Sequence, residues 1–282
     1  MKPATFGLTA AAVAAFAANS VLCRAALGKG LVDPETFTTL RLVSGAVVLL
    51  LLARYRGAAS PPRDLHASAA LFAYALAFSL AYVRIPAALG ALLLFGAVQV
   101  TMVGWGLVAG ERPRAVEWCG LALSTAGLVA LTIPGIRTGG GEFSGGLLML
   151  GAGVAWSVYS LLGRTSVGDP VAVNAARFAW AVPMALAASA VAAPAAPPRV
   201  TAAGVLLAVA SGGLASGLGY ALWYAAVRRL TATRAALVQL SVPPLAAFGG
   251  VALLGEPVSL RLALSAAAIL GGIALAVAGG RR

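Results

Sequence analysis

Ten apolar stretches, each close to 20 residues long, follow one another along almost the whole chain. An α-helix needs a stretch of about that length to cross the hydrocarbon core of a bilayer. The strands of a membrane barrel would alternate apolar and polar residues, and these stretches do not. The sequence therefore predicts an all-α membrane protein with ten transmembrane helices. The predicted spans are 4–25, 35–53, 66–84, 87–109, 115–134, 146–164, 171–193, 203–227, 232–254 and 259–279.

The composition agrees with a lipid environment. Hydrophobic residues make up 61% of the chain and charged residues 10%, against about 45–50% and about 25% in soluble domains. One histidine and two cysteines leave no pattern for a metal cluster, a catalytic triad or a disulfide framework. An intramembrane enzyme needs clustered acids or a Ser/His pair, so it is a remote alternative. We predict no enzymatic activity, no cofactor and no metal.

A short motif occurs twice in the chain. In each copy an Asp-Pro pair precedes an arginine, and a Gly-Glu step with a nearby proline follows about 80 residues later. Many secondary transporters are built from such duplicated halves, with the substrate held where the halves meet. We therefore predict two five-span repeats, residues 1–138 and residues 139–282. The paired positions are Asp33, Pro34, Arg41 and Glu111 in the first copy, and Asp169, Pro170, Arg177 and Glu256 in the second.

The basic residues predict how the spans are oriented. With the N-terminus in the cytoplasm, twelve basic residues fall at cytoplasmic span ends and six at the opposite ends, as the positive-inside rule requires. Five spans per half is an odd number, so the second half has to be inverted. Both termini are then cytoplasmic. The net charge of +12 is explained by these loops, and we predict no nucleic-acid partner.

Over about residues 4–279 the chain resembles EamA-type members of the drug/metabolite transporter superfamily. The resemblance rests on the two five-span halves, the early arginine of each second span, the repeated Gly-Glu-(x)-Pro mark, and the stretches 219–226 and 231–236. It implies an exporter of amino acids or other small metabolites, and aromatic amino acid exporters are among the family's better-known kinds. The excess of Ala, Gly and Arg suggests a bacterium with GC-rich DNA, and hence the inner membrane. A passive channel is the main alternative.

Candidate substrate contacts are aromatic and amide side chains within the spans. Aromatic residues recur at helical spacing on the third, sixth and eighth spans, which predicts a cavity with aromatic walls. An interfacial belt or plain helix packing is the alternative. Amides in lipid-spanning helices face a cavity or bridge to another helix. The predicted contacts are Asn19, Phe78, Gln99, Trp156, Tyr220, Trp223 and Gln239.

A second group is predicted to have structural or gating roles: Arg41, Arg177, Glu111, Glu256, Pro243 and Pro244. Each arginine lies about 10 Å into its span. It can snorkel to the interface, pin a neighbouring helix or hold a substrate carboxylate, and we favour a structural role. The glutamates suit a solvated turn or a salt bridge with such an arginine.

The two prolines kink the ninth span, and the fourth span has Val98 and Gln99 at the matching place, so the halves need not bend alike. All eight carboxylates and the one histidine fall at the ends of predicted spans or in loops, which predicts transport without an imposed proton gradient. We expect a small-molecule substrate and a protein that functions as a monomer in the lipid bilayer.

Overall fold

The computed structural model describes residues 3–59, 61–85, 87–138, 143–194, 198–254 and 259–279, and nearly all of them are helical. A π-helical segment over Ser211–Leu218 joins two of the helices. Within these residues the β-structure is one isolated pair, Val32 with Val200. The helices are α1 (Pro3–Leu27), α2 (Pro34–Tyr55), α3 (Leu65–Tyr82), α4 (Ala87–Val108), α5 (Ala115–Thr138), α6 (Phe143–Thr165), α7 (Pro170–Ala192), α8 (Ala202–Ala210), α9 (Gly219–Val227), α10 (Ala232–Gln239), α11 (Val242–Leu254) and α12 (Leu260–Gly279).

The helices suit a membrane. Eight helical stretches of the described chain are long and apolar enough to cross one, with α8, the π-helical segment and α9 counted as one stretch, and a shorter apolar helix covers Ala115–Leu131. The predicted all-α membrane fold is therefore confirmed, and the count of ten spans stays a prediction. The predicted ninth span, 232–254, is not continuous, because α10 ends at Gln239 and α11 begins at Val242. Pro243 and Pro244 follow that break in the first turn of α11, where a missing N–H is tolerated.

The repeated Asp-Pro pair is a helix-start signal. Asp33 caps α2 and Asp169 caps α7, each through its carboxylate and the backbone N–H groups of the first turn. The proline that follows each aspartate takes the first helical position, which suits its fixed φ and its lack of an N–H. The motif therefore begins the same helix in each predicted half.

Three pairs of helices that correspond in the predicted repeat pack against each other. α2 packs on α7, α4 on α10, and α5 on α12. α2 and α7 run antiparallel, because Thr39 near the start of α2 contacts Ser189 near the end of α7, and Arg56 after α2 lies beside Asp169 before α7. α5 and α12 meet closely at Gly120 and Gly272, where an added Cβ on Gly272 would lie 2.6 Å from the carbonyl oxygen of Gly120.

The bundle has two polar ends, which we call the Asp33 end and the Asp64 end. At the Asp33 end, loop residues 31–33 run beside residues 199–201 and are joined by backbone hydrogen bonds, including Asp33 N to Arg199 O at 3.0 Å. At the Asp64 end, side chains join loops to neighbouring helices. There the Arg177 Nη2 lies 2.6 Å from the Asp64 Oδ2.

Candidate transport cavity

A small cavity lies inside the bundle, where α1, α3, α4, α6 and α9 meet the break between α10 and α11. Its volume is about 30 Å³, enough for roughly two water molecules. Most of its wall is aromatic or aliphatic, and both predicted halves contribute to it. The lining residues are Phe16, Asn19, Ser20, Tyr74, Phe78, Leu94, Phe95, Trp156, Tyr220, Gln239 and Val242.

The aromatic rings of the wall are packed on one another. Phe16 presents its ring edge-on to Trp156 and Tyr220, with ring centroids 5.1 and 5.6 Å apart. Trp156 also contacts Tyr74, at 5.0 Å, and Tyr220, at 4.8 Å. These separations are the favourable ones for aromatic pairs. The wall is therefore one continuous aromatic cluster that joins α1, α3, α6 and α9.

Two amides provide polar groups in this wall. The Gln239 Oε1 accepts a hydrogen bond from the Trp156 Nε1 at 2.5 Å, and its Nε2 donates to the carbonyl of Ala235. The Asn19 Oδ1 accepts from the Ser211 hydroxyl at 2.7 Å. Each amide thus bridges two helices and also borders the cavity, so both roles considered for it are compatible.

Five of the seven predicted substrate contacts line the cavity: Asn19, Phe78, Trp156, Tyr220 and Gln239. Trp223 is fully buried behind Phe16, and its Nε1 donates to the Ser160 hydroxyl at 3.1 Å. Gln99 faces α10 and donates its Nε2 to the carbonyl of Ala236 at 2.8 Å. The structure therefore places Trp223 and Gln99 in helix packing.

Three aromatic lining residues are not among the predicted contacts: Phe16, Tyr74 and Phe95. Tyr74 has a sequence signal, because it precedes Phe78 by four residues and shares a helix face with it. Phe16 and Phe95 have none, since each is an isolated aromatic residue in an apolar helix. Helix packing alone turns their rings toward the cavity.

Arg41 is buried beside the cavity. Only 1% of the residue is exposed, so the snorkelling orientation considered for it is wrong. Its Nε donates to the Ser216 hydroxyl at 2.8 Å and its Nη2 to the Tyr220 hydroxyl at 2.5 Å. Its guanidinium carbon lies 5.4 Å from the centre of the Tyr74 ring. The Nη1 has no hydrogen-bond partner among the described residues.

Arg177 occupies the matching place in the second predicted half, with different partners. Its Nη1 donates to the Tyr224 hydroxyl at 2.6 Å, and its Nη2 forms the ion pair with Asp64. Tyr224 follows Tyr220 by one helical turn on α9, so the two arginines bind neighbouring tyrosines. They differ in charge compensation, because Arg177 has a carboxylate beside it.

Glu111 joins three elements at the Asp64 end. Its carboxylate accepts hydrogen bonds from the backbone N–H groups of Ala232 and Thr233, at 2.7 and 3.1 Å, and lies 3.2 Å from the Arg164 Nη2. It therefore caps α10. Its salt bridge is with Arg164 at the end of α6, whereas the sequence suggested Arg41 or Arg177 as the partner. Glu256, its predicted counterpart, lies outside the described residues.

Comparisons with known proteins agree with this architecture. The chain is 50% identical over 276 residues to the uncharacterized protein PA1977 of Pseudomonas aeruginosa (strain PAO1), which covers 97% of this chain and 94% of that protein. One solved crystal structure aligns over the full length of both chains with a TM-score of 0.81 and 23% identity, which shows a shared fold. Residues 143–278 match the EamA-like transporter family, which supports the resemblance to the drug/metabolite transporter superfamily. The chain is therefore a multi-pass membrane protein whose residues 143–278 are similar to the EamA-like transporter family.

Proposed function

We propose that the protein is a secondary transporter that exports small metabolites, chiefly amino acids with aromatic or apolar side chains, by alternating access. The observation that carries this proposal is the shared aromatic cavity. Phe16, Tyr74 and Phe78 come from the first predicted half, and Trp156 and Tyr220 from the second. A solute held between the halves contacts both of them, so a relative movement of the halves changes its surroundings.

The small volume of the cavity supports a mechanism with conformational change. A space of about 30 Å³ is far below the roughly 300–1,000 Å³ of ligand pockets. The cavity therefore has to expand before it can hold an amino acid. At one end of the bundle, side-chain ion pairs join loops to neighbouring helices. At the other end, backbone hydrogen bonds join two loops. A protein that opens one end at a time suits this arrangement better than a permanent channel.

The chemistry of the acidic residues favours transport over catalysis. Asp33 and Asp169 cap helices, while Asp64, Glu111 and Glu117 are paired with arginines. These roles are structural. We further propose that the Asp64 end and both termini face the cytoplasm, that the membrane is a bacterial inner membrane, and that the protein acts as a monomer without a cofactor. The antiparallel packing of α2 on α7 supports the inverted repeat on which this orientation depends.

Counterflow in liposomes tests the proposal. Liposomes that contain the purified protein are loaded with one unlabelled amino acid at a time. They are expected to accumulate the same amino acid in radiolabelled form, with saturation and a preference for one enantiomer. The variant Trp156→Ala should lower this exchange several-fold. Trp105→Ala is the matched control, because Trp105 is 55% exposed on α4 and does not line the cavity. Flux that rises linearly with concentration and ignores chirality would instead identify a channel.

A further inference from the structure

We infer that Arg41 is the carboxylate-binding group of the cavity. The accepted solutes are then small organic acids, amino acids included, whose carboxylate bonds to the guanidinium while the apolar or aromatic body lies among the cavity rings. This inference rests on the proposed function, since it names the substrate class of the same cavity. Three observations carry it: an uncompensated buried charge, an unused donor and a contrast with Arg177.

The charge of Arg41 has no built-in counter-charge in the part of the chain that the structure describes. An arginine side chain stays protonated at any useful pH. Burying such a charge is costly unless it is paired or faces a functional site. Arg41 is 1% exposed, and its ionisable neighbours are Tyr74, Tyr220 and Cys23. None of the three is a carboxylate. A bound anion would compensate the charge.

The guanidinium also has an unused donor beside the cavity. Its Nε and Nη2 bond to the hydroxyls of Ser216 and Tyr220, and its Nη1 has no partner among the described residues. A carboxylate is the acceptor that fits two neighbouring N–H groups of arginine at once. Tyr220 lies between Arg41 and the cavity, because it contacts the guanidinium and also lines the cavity. When the cavity expands, a carboxylate that displaces the Tyr220 hydroxyl takes both Nη1 and Nη2.

Arg177 is a buried arginine of the same fold whose charge is compensated by a carboxylate of the protein. It stands at the matching repeat position and also donates to a tyrosine of α9, but its Nη2 lies 2.6 Å from the Asp64 carboxylate. The second half therefore supplies a carboxylate from the protein. In the first half the corresponding place is beside the cavity, and the transported solute supplies the carboxylate.

Ligand-dependent thermal stabilisation tests this inference on the purified full-length protein. Four related probes separate charge from shape: 3-phenylpropanoate, L-phenylalanine, phenethylamine and 3-phenylpropan-1-ol. We expect the two carboxylates to raise the melting temperature and the amine and the alcohol to leave it unchanged. Equal stabilisation by the alcohol, or none by either acid, would overturn the inference. This comparison uses the unaltered protein, so it decides the matter even if a variant fails to fold.

Variants at Arg41 then locate the effect. Loss of hydrogen bonds to a charged group predicts that Arg41→Gln weakens the apparent affinity for 3-phenylpropanoate about ten- to a hundredfold. Arg41→Lys keeps the charge without the planar fork, so an intermediate loss is expected. Arg63→Gln is the matched control, because Arg63 is exposed and packs on the Trp180 ring away from the cavity. Unchanged affinity in Arg41→Gln would overturn the assignment.

The two proposals fail in different ways. Stabilisation by carboxylates that is lost in Arg41→Gln, without counterflow of any solute, would establish a carboxylate site and refute transport. Saturable counterflow that is unaffected by Arg41→Gln would establish transport and refute the role of Arg41.

Discussion

Trp156 and Gln239 are joined by a hydrogen bond from the indole Nε1 to the amide Oε1, 2.5 Å long, that crosses from α6 to α10. Gln239 is the last residue of α10, immediately before the break at Leu240 and Ser241. The bond therefore fixes the broken span against the aromatic wall of the cavity. A movement of α11 relative to α10 would begin at this contact.

Removing the acceptor of this bond should destabilise the protein. Gln239→Leu leaves the Trp156 N–H buried without a partner, which is expected to lower the free energy of unfolding by about 1–3 kcal/mol. In a Trp156→Phe background, which lacks the donor from the start, Gln239→Leu should lower the stability less than it does in the unaltered protein. Thermal melts of the single and double variants provide the measurement. Equal melting temperatures for Gln239→Leu and the unaltered protein would contradict the argument.

Neutralising Glu111 should loosen the Asp64 end. Glu111→Gln keeps the shape of the side chain but weakens the bonds to the first turn of α10 and to Arg164. A cysteine placed at Ala235, one turn inside α10, should then react faster with a membrane-impermeant thiol reagent. Arg112→Gln is the control, because Arg112 is exposed in the same loop. An unchanged labelling rate in Glu111→Gln would show that the Glu111 carboxylate does not hold the Asp64 end closed.

We expect transport to need no proton gradient. A proton-coupled carrier requires a group that changes charge as the site alternates. In the described chain the carboxylates of Asp64 and Glu111 form ion pairs with arginines at the Asp64 end, and neither lines the cavity. Counterflow at equal pH on both sides of the liposome membrane is the measurement. An absolute requirement for a pH gradient, abolished by Glu111→Gln or Glu256→Gln, would show that the residue carries the proton.

The loops at the Asp64 end should all be labelled from the cytoplasm. Loops 55–65 and 228–234 lie at this end, where Arg177 pairs with Asp64 and Arg228 bonds to Ser166. Single cysteines there, in a Cys119→Ala background, should react from the cytoplasmic side, and cysteines in 136–144 from the outside. Cys119 is exposed and has to be removed, whereas Cys23 is buried. Reaction of 55–65 and 136–144 from the same side would refute the orientation.

Two adjacent glycines provide a matched test of helix packing. A methyl group on Gly272 would meet the Ser124 side chain and the Gly120 carbonyl, whereas nothing lies within 4 Å of one on Gly271. Gly272→Ala should therefore reduce stability by about 1–3 kcal/mol, the usual cost of overpacking. Gly271→Ala should be neutral or slightly stabilising. Melting temperatures of the two variants, in the same detergent, decide whether α5 and α12 are packed as described.

The helices were predictable from the sequence because a span needs length and apolarity, and both are local properties. The predicted spans 35–53 and 203–227 correspond to the observed helical stretches Pro34–Tyr55 and Ala202–Val227. The Asp-Pro pairs mark helix starts for reasons that are equally local. Pro243 and Pro244 indicated a bend in the ninth span, although the break at 240–241 precedes them by a few residues.

The arrangement of the cavity was only partly predictable, because it depends on which helix faces which. The aromatic spacing on α3 identified Phe78, and the isolated Phe16 gave no signal. Gln99 and Gln239 occupy corresponding spans, yet Gln99 is aligned with Pro244 in the repeat, and the two amides bond to different partners. Glu111 bonds to the N-terminus of α10, which is more than a hundred residues away in the chain. Such pairings exist only after the helices have packed.

The π-helical segment Ser211–Leu218 determines which side chains α9 presents to the cavity. Its i to i+5 hydrogen bonds include one residue more than the α-helical pattern does. Rewinding a π-helical turn as α-helix would rotate the whole of α9 by about 100° about its axis. Tyr220 would then move away from Arg41. The orientation of this aromatic face is thus a property of the glycine-rich segment before it. Deleting one residue there would remove the extra residue of the π-helical pattern and let the segment wind as α-helix with α9 kept in its present orientation.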